Sequence, residues 1–378
     1  MARADVSVNL AAIERNVGVL NTVAGGAAVC AVVKADGYGH GMVQSAGAAL
    51  AGGATHLAVA TAAEAATLRA AITDGTPIHV LGALTPGDAS AAIAAGASVT
   101  AWSEDAVREL EAAAQSLGRT ADVHVKLDTG LGRLGTRDAA EATAVAELIA
   151  ASPMLTFGGA WTHFATADER DDAFFAEQLA RFRAWAEPLK DRHPEIVLHA
   201  ANSAATLRDA ACHFDMVRCG VAIYGLDPFG ASAGAQGLDA ALTLAATVAA
   251  VKPCQVGEST GYGRRFVAAA ETTIATITIG YGDGYRRAFS NNADVLIDGR
   301  RCPVRGTVSM DNITVDVGAL PQPPRAGDRA VLLGSDGNDC ITAEELAAAA
   351  GTINYEITCG ISPRPTRRWH RDGVPARS

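Results

Sequence analysis

Apolar and polar residues alternate along this chain in two rhythms, and the change between them falls near residue 230. At the start, Val6, Val8 and Leu10 alternate with polar residues; Ile13, Val17 and Leu20 then take helical spacing, with Asn9 placed to cap that helix. Short apolar runs follow at residues 29–33, 55–60, 78–81, 98–101, 123–127, 157–161, 196–199 and 216–223. Their length and lack of alternation suit strands buried on both faces. Amphipathic stretches separate them, among them residues 62–71, 104–117, 139–150 and 174–189, which predict helices. About eight strand–helix units before Gly225 is the count for a (β/α)8 barrel. A doubly wound sheet would give the same periodicity, so the pattern alone leaves closure open.

The second rhythm begins after D-P-F-G-A-S-A-G-A-Q-G at residues 227–237, a linker by composition. Residues 273–279, 295–297, 313–317 and 330–333 read as compact or alternating strands, with turns such as Asp298-Gly299. Thr342 with Glu345 fits a capping box and Gly351 a helix stop. The piece from Gly334 to Asp339 lacks the spacing and closing glutamate of a calcium loop and reads as a hairpin turn. The expected fold class is therefore α/β: a (β/α)8 barrel over residues 1–230, followed by a smaller, mainly β domain over 231–378.

Bulk properties agree. A length of 378 residues is long for one core. Apolar residues at 49% and charged residues at 19% describe an ordinary globular protein. A net charge of -10 argues against a nucleic-acid binder. Seven scattered cysteines without a C-x-x-C pair fit a reducing compartment, and no metal site is expected. No apolar stretch approaches the roughly 18 residues of a membrane span, and the N-terminus lacks a signal-peptide core. The expectation is a cytoplasmic protein with neither membrane nor nucleic acid as partner.

The chemistry concentrates at strand ends. Residues 31–41 read A-V-V-K-A-D-G-Y-G-H-G, and Lys34 stands where a buried strand opens into a loop. There an amine can have its pKa lowered and form a Schiff base; a lone lysine after a strand is more often one that reaches out to water. Lys126 with Asp128, His163, Asn202 with Ser203, and Arg218 with Tyr224 also lie in or just after predicted strands. Barrel enzymes assemble their sites from such positions on many strands.

The string at 31–41 resembles the cofactor-lysine motif of alanine racemases, with Gly37 where that family usually has alanine. The resemblance runs from the N-terminal strand to Tyr355. It implies pyridoxal 5'-phosphate as cofactor, with Lys34 as the Schiff-base lysine and Tyr38 as a phosphate ligand. In K-L-D-T-G-L-G-R-L-G it makes Arg133 the arginine near the cofactor ring hydroxyl and substrate carboxylate, and Lys126 the lysine that can be carbamylated to hold it. In W-T-H-F-A-T-A-D it makes His163 a relay residue; H-A-A-N-S-A-A-T itself reads as a helix start near Ser203, whose hydroxyl and backbone N–H groups would bind the cofactor phosphate. In D-M-V-R-C-G-V-A-I-Y-G, Arg218 would face the pyridine nitrogen and Gly220 would let backbone approach the phosphate.

Four further matches lie in the expected β domain. Tyr262 in G-Y-G-R-R-F would act from across a dimer interface, although the family more often has serine before the tyrosine and no arginine pair after it. Tyr281 in I-G-Y-G-D-G-Y would line the entry, and the Met310 N–H in V-S-M-D would meet the substrate carboxylate. Tyr355 in I-N-Y-E-I would contact phosphate; the following I-S-P-R-P-T-R-R-W departs from the family's ending. The implied activity is interconversion of L- and D-alanine by a head-to-tail homodimer with shared sites, supplying D-alanine for peptidoglycan. Lys34 and Tyr262 would serve as the two bases. A racemase of the same family acting on serine or lysine is the alternative; a related decarboxylase or a non-catalytic carrier of the cofactor fits the β-domain motifs less well.

Overall fold

The computed structural model describes residues 3–376 apart from Pro86. Strand β1 (Ala4–Asn9) alternates buried and half-buried residues, as its sequence does, and the Asn9 side chain accepts the Ala11 N–H at 3.2 Å where helix Leu10–Ala24 begins. Eight parallel strands follow: β2 (Ala28–Val32), β3 (His56–Val59), β4 (Ile78–Val80), β5 (Val99–Ala101), β6 (Ala121–Lys126), β7 (Leu155–Trp161), β8 (Val197–His199) and β9 (Met216–Cys219). They pair in the orders β4-β3-β2-β9 and β5-β6-β7-β8. Two seams join these sets into a ring. Ser98 exchanges backbone bonds of 2.8 Å with Ile78 and Val80, while Asp215 and Arg218 donate to Leu198 and Ala201 at 3.0 and 2.8 Å. Those seams decide closure, which hydrophobic periodicity could not. The fold is a (β/α)8 barrel with a mainly β second unit.

Local sequence explains most boundaries. Helix Ala62–Ala71 starts at a reciprocal Thr61/Glu64 capping box, and Glu104–Leu117 starts at Ser103, whose hydroxyl accepts the Ala106 N–H. The strand that falls furthest short of its apolar run is β9, which stops at Cys219, and Val221–Tyr224 form a 3-10 turn. The reason is a side-chain acceptor, since the N–H groups of Gly220 and Ala222 turn to Ser203 Oγ at 2.9 and 3.3 Å.

The barrel unit comprises Ile13–Ile223 with Gln236–Leu238. The other unit takes the N-terminal segment through Ala12, Tyr224–Ala235, and the chain from Asp239 onward. This departs from the expected barrel of residues 1–230. β1 belongs to the β unit because it pairs antiparallel with β10 (Leu242–Cys254) and parallel with Thr366–Arg371. β10 is the axis of that sheet, paired also with Arg329–Asp336 and Thr272–Ile277. The stretch that reads as a linker is instead a folded loop. Asp227 is fully buried, and its carboxylate accepts the N–H groups of Phe229, Ala231 and Ser232 at 3.0–3.1 Å. Residues 334–339 are a hairpin, with Gly337 at φ +59° between Arg329–Asp336 and Asp339–Ile341. Among the described residues no helix is long and apolar enough to cross a membrane.

Candidate active site

Lys34 leaves β2 through an unusual turn. Ala35, Asp36, Gly37 and Tyr38 have φ of 53°, 52°, 61° and 53°. A left-handed turn costs roughly 1–2 kcal/mol at each non-glycine residue, so surrounding bonds must hold it. They do: Gly37 N–H donates to Val33 O at 2.9 Å, Gly39 to Ala35 at 3.1 Å and Gly41 to Asp36 at 2.8 Å. The Asp36 carboxylate accepts the Met42 N–H at 3.0 Å. Glu64 accepts the Ala35 N–H at 2.8 Å on one oxygen and the Ala60 and Thr61 N–H groups on the other. Glu64 and Asp36 thus set the geometry at Lys34. Sequence reasoning missed both, although Glu64 carried a capping-box signal.

The turn brings the Tyr38 phenol against Gly220. A Cβ built on Gly220 would lie 2.4 Å from the Tyr38 hydroxyl oxygen, so only glycine admits the tyrosine there. Ser203 Oγ meets the Gly220 and Ala222 N–H groups on the same spot, and Asn202 caps the helix Ser203–Arg208 by accepting the Ala205 N–H at 2.9 Å. The Tyr38 phenol and the Ser203 hydroxyl, whose oxygen is held by those two N–H groups, therefore converge where a side chain is missing and present two O–H donors. That donor set suits a phosphate.

Arg218, on β9, is 3% exposed. Its guanidinium donates to Thr162 O at 2.8 Å, Ala200 O at 3.1 Å, His199 Nδ1 at 2.9 Å and His163 Nδ1 at 3.3 Å. Every one of these acceptors is neutral. Burial lowers its pKa to about 10, which still leaves it charged at neutral pH. It lies over the Trp161 ring at 4.7 Å, and Lys126 Nζ lies over the same ring at 4.3 Å.

Lys126 is itself buried, and burial, with Arg133, Arg218 and Lys34 nearby, lowers its amine to about 7 against the pull of Asp128. His163 is held well below its ordinary range by burial and by the charges of Arg218, Arg133, Lys126 and Lys34. Six of the residues singled out in the sequence, Lys34, Lys126, Arg133, His163, Arg218 and Asp128, thus share one electrostatic neighbourhood. Asp128 folds the loop that carries the exposed Arg133: its carboxylate accepts the Gly130 and Gly132 N–H groups at 3.0 Å and Arg137 Nε at 3.2 Å. Although burial opposes ionisation, these bonds keep its pKa below the usual carboxylate range.

In the β unit, Tyr262 is 76% exposed in the turn Tyr262–Arg264, and its carbonyl accepts Thr307 Oγ1 at 2.7 Å. A cavity of about 340 Å³ beside it is lined by Gly261, Thr307, Ser309 and Asn312. The G-Y-G-D-G-Y and V-S-M-D segments clasp each other: Tyr281 N–H donates to Ser309 O at 3.0 Å and Gly282 N–H to Met310 O at 2.9 Å. Tyr281 and Met310 are 43% and 52% exposed. Tyr355 is half-buried in helix Asn354–Cys359 of the same unit.

Family models for the alanine racemase N-terminal and C-terminal domains match residues 8–228 and 241–369. The chain belongs to the alanine racemase family. It is 42% identical to the alanine racemase of Symbiobacterium thermophilum over 361 residues, 95% of each chain. Identity to the alanine racemase of Thermobifida fusca is 42% over 370 residues, 96% of this chain and 97% of the other. Among solved structures, the alanine racemase of Streptomyces coelicolor superposes with a TM-score of 0.92 at 39% identity, covering 97% of this chain and 98% of that one. The Bacillus anthracis alanine racemase with bound L-Ala-P gives 0.89 at 35% identity, covering 100% and 97%. Membership in the alanine racemase family accounts for a barrel joined to a second, mainly β unit.

Proposed function

We propose that the chain interconverts L- and D-alanine on pyridoxal 5'-phosphate held in the barrel unit. The observation that carries this is the convergence of Tyr38, Ser203 and Gly220 beside a strained turn that begins at Lys34, with buried Arg218 donating only to neutral acceptors. When bound, the cofactor supplies an aldehyde for the Lys34 amine and a ring that takes up the electron pair left at Cα. Tyr38, Ser203, Gly220 and Tyr355 would hold its phosphate. Arg218 would donate to the ring nitrogen; because an arginine gives up no proton in a protein, it cannot leave that nitrogen protonated. The ring is then a weaker electron sink than beside an aspartate, which disfavours side reactions such as transamination. Arg133 offers a planar fork to the substrate carboxylate, and the Met310 N–H a further donor.

Inversion needs an acid/base on each face of the planar Cα centre. Lys34 serves one face and Tyr262 of the partner subunit the other, with His163 as relay and Tyr281 at the entry. Exposure of Tyr262, Tyr281 and Met310 supports a homodimer that covers them. The D-alanine, formed in the cytoplasm, would supply peptidoglycan. A chiral assay tests the reading. L-alanine and D-alanine should each run to the same mixture; faster inversion of serine or lysine would move the substrate, and no inversion of any of them would refute the reaction.

Lys126 carries a second expectation. An amine lowered to about 7 is substantially neutral at cytoplasmic pH, and the neutral form is the one that adds carbon dioxide. Carbamylation, which releases a proton as the N–C bond forms, would turn a neutral amine among cations into an anion close to Arg133. Protein equilibrated with 13C-bicarbonate should show a carbamate resonance that grows as pH rises through about 7 and is missing in Lys126→Ala. A spectrum identical in the two proteins would rule the modification out.

A further inference from the structure

The interior of a (β/α)8 barrel is ordinarily filled by branched aliphatic side chains. Here one level holds three histidines from alternate strands: His79 on β4, His124 on β6 and His199 on β8, with ring centroids 4.5–5.8 Å apart. Trp161 stacks on His199 at 5.7 Å with the planes 7° apart. Two of these histidines extend the bonding of Arg218. His199 Nε2 lies 2.8 Å from His124 Nδ1, and His124 Nε2 lies 3.4 Å from Asp122 Oδ2.

The neighbouring strand is shaped around this line. Val123 pairs with Phe157 but His124 with Gly159, so Gly158 is an extra, bulged residue of β7. A Cβ on Gly158 would lie 1.9 Å from Asp122 Oδ1, and one on Gly159 would lie 2.5 Å from His124 Nδ1. Two glycines and a bulge thus vacate the space that Asp122 and His124 occupy.

We propose that His199, His124 and Asp122 are positioning residues that act through Arg218, forming a one-way hydrogen-bond chain which aims its guanidinium at the cofactor ring nitrogen. The direction of the chain is set by its ends. Arg218 can only donate and an ionised Asp122 can only accept. His199 therefore accepts on Nδ1 and carries its proton on Nε2; His124 accepts that proton on Nδ1 and carries its own on Nε2, toward Asp122. Each bond polarises the next, so the carboxylate makes His199 a stronger acceptor for Arg218. Burial and the Arg218 charge hold His199 neutral, with its lone pair available. Asp122 stays below the usual carboxylate range although burial opposes it, because His124 bonds to it. His79 and His56 face the same cluster, and burial keeps both lowered, so the positive charge remains on Arg218.

The inference rests on Arg218 facing the ring nitrogen, and the test separates the two. Holoenzyme is reconstituted with pyridoxal phosphate labelled with 15N in the ring. Arg218→Lys should move the ring-nitrogen resonance. His124→Leu should move it in the same sense and lower kcat about tenfold at unchanged KM, the loss of one bond in a charged network. His124→Asn, whose side-chain oxygen can replace Nδ1 as acceptor but which does not reach Asp122, should bring the resonance only part of the way back. Should His124→Leu fail to fold, Asp122→Asn at the half-exposed end gives the same comparison. A resonance moved by Arg218→Lys but by neither chain variant would overturn the positioning role. A resonance unmoved by Arg218→Lys would remove Arg218 from the ring nitrogen, and the chain's role with it.

Discussion

Lys34→Ala is expected to abolish both the covalent linkage of pyridoxal phosphate to the protein and the racemisation of either enantiomer. The amine stands at the end of β2, where four consecutive residues of positive φ are pinned by Glu64, Asp36 and Gly41. No other lysine stands in that turn. Lys126, the other lysine of this neighbourhood, is packed on Trp161. Loss of the imine absorbance in Lys34→Ala, with no borohydride-reducible linkage remaining, is the direct observation. The same variant tests whether sites are shared between chains. Mixed under subunit exchange with Tyr262→Phe, which keeps Lys34, it should form heterodimers with one intact and one doubly damaged site. If half the dimers are mixed, activity should return to about a quarter of the native level. Proven heterodimers without activity would confine each site to a single chain.

Why some of this was legible before any coordinates, and some not, follows from the range of the interactions involved. The barrel strands carry their signal locally, as buried runs closed by glycine or a charge; Lys34, Lys126 and His163 fall at or just past their ends and Arg218 within one, and the structure places all four in one neighbourhood. β10 was invisible because L-T-L-A-A-T-V-A-A-V-K-P-C is alanine-rich and carries neither a helical stripe nor a clean alternation. The membership of β1 was equally hidden, since its partners are far along the chain and pairing leaves no local mark. The end of β9 was overrun because the acceptor that stops it, Ser203 Oγ, belongs to another strand's loop. The left-handed turn is the sharpest case. Ala35, Asp36 and Tyr38 do not prefer positive φ, so the turn depends on bonds that bring in distant residues, among them Glu64 of helix Ala62–Ala71, which accepts its first N–H. A family motif records that such a turn works; it does not say what holds it.

Tyr262→Ala is expected to separate the two directions of the reaction. The phenol stands 76% exposed on the β unit, on a turn fastened by Thr307. If Lys34 serves one face of Cα and Tyr262 of the partner subunit the other, neither can substitute for its counterpart. Proton transfer requires the reacting atoms about 3–3.5 Å apart, and a planar substrate would lie between the two bases. By family resemblance the tyrosine takes the proton of L-alanine and the lysine that of D-alanine. In deuterated water the Tyr262→Ala enzyme should therefore place deuterium at Cα of D-alanine without inverting it, while L-alanine stays almost unlabelled. Tyr262→Phe should behave alike, since it keeps the ring and loses only the hydroxyl that exchanges. Equal loss of exchange on both enantiomers would make Tyr262 a packing or relay group, and the second base would have to be sought among the other exposed residues of that face, with Tyr281 the first to test.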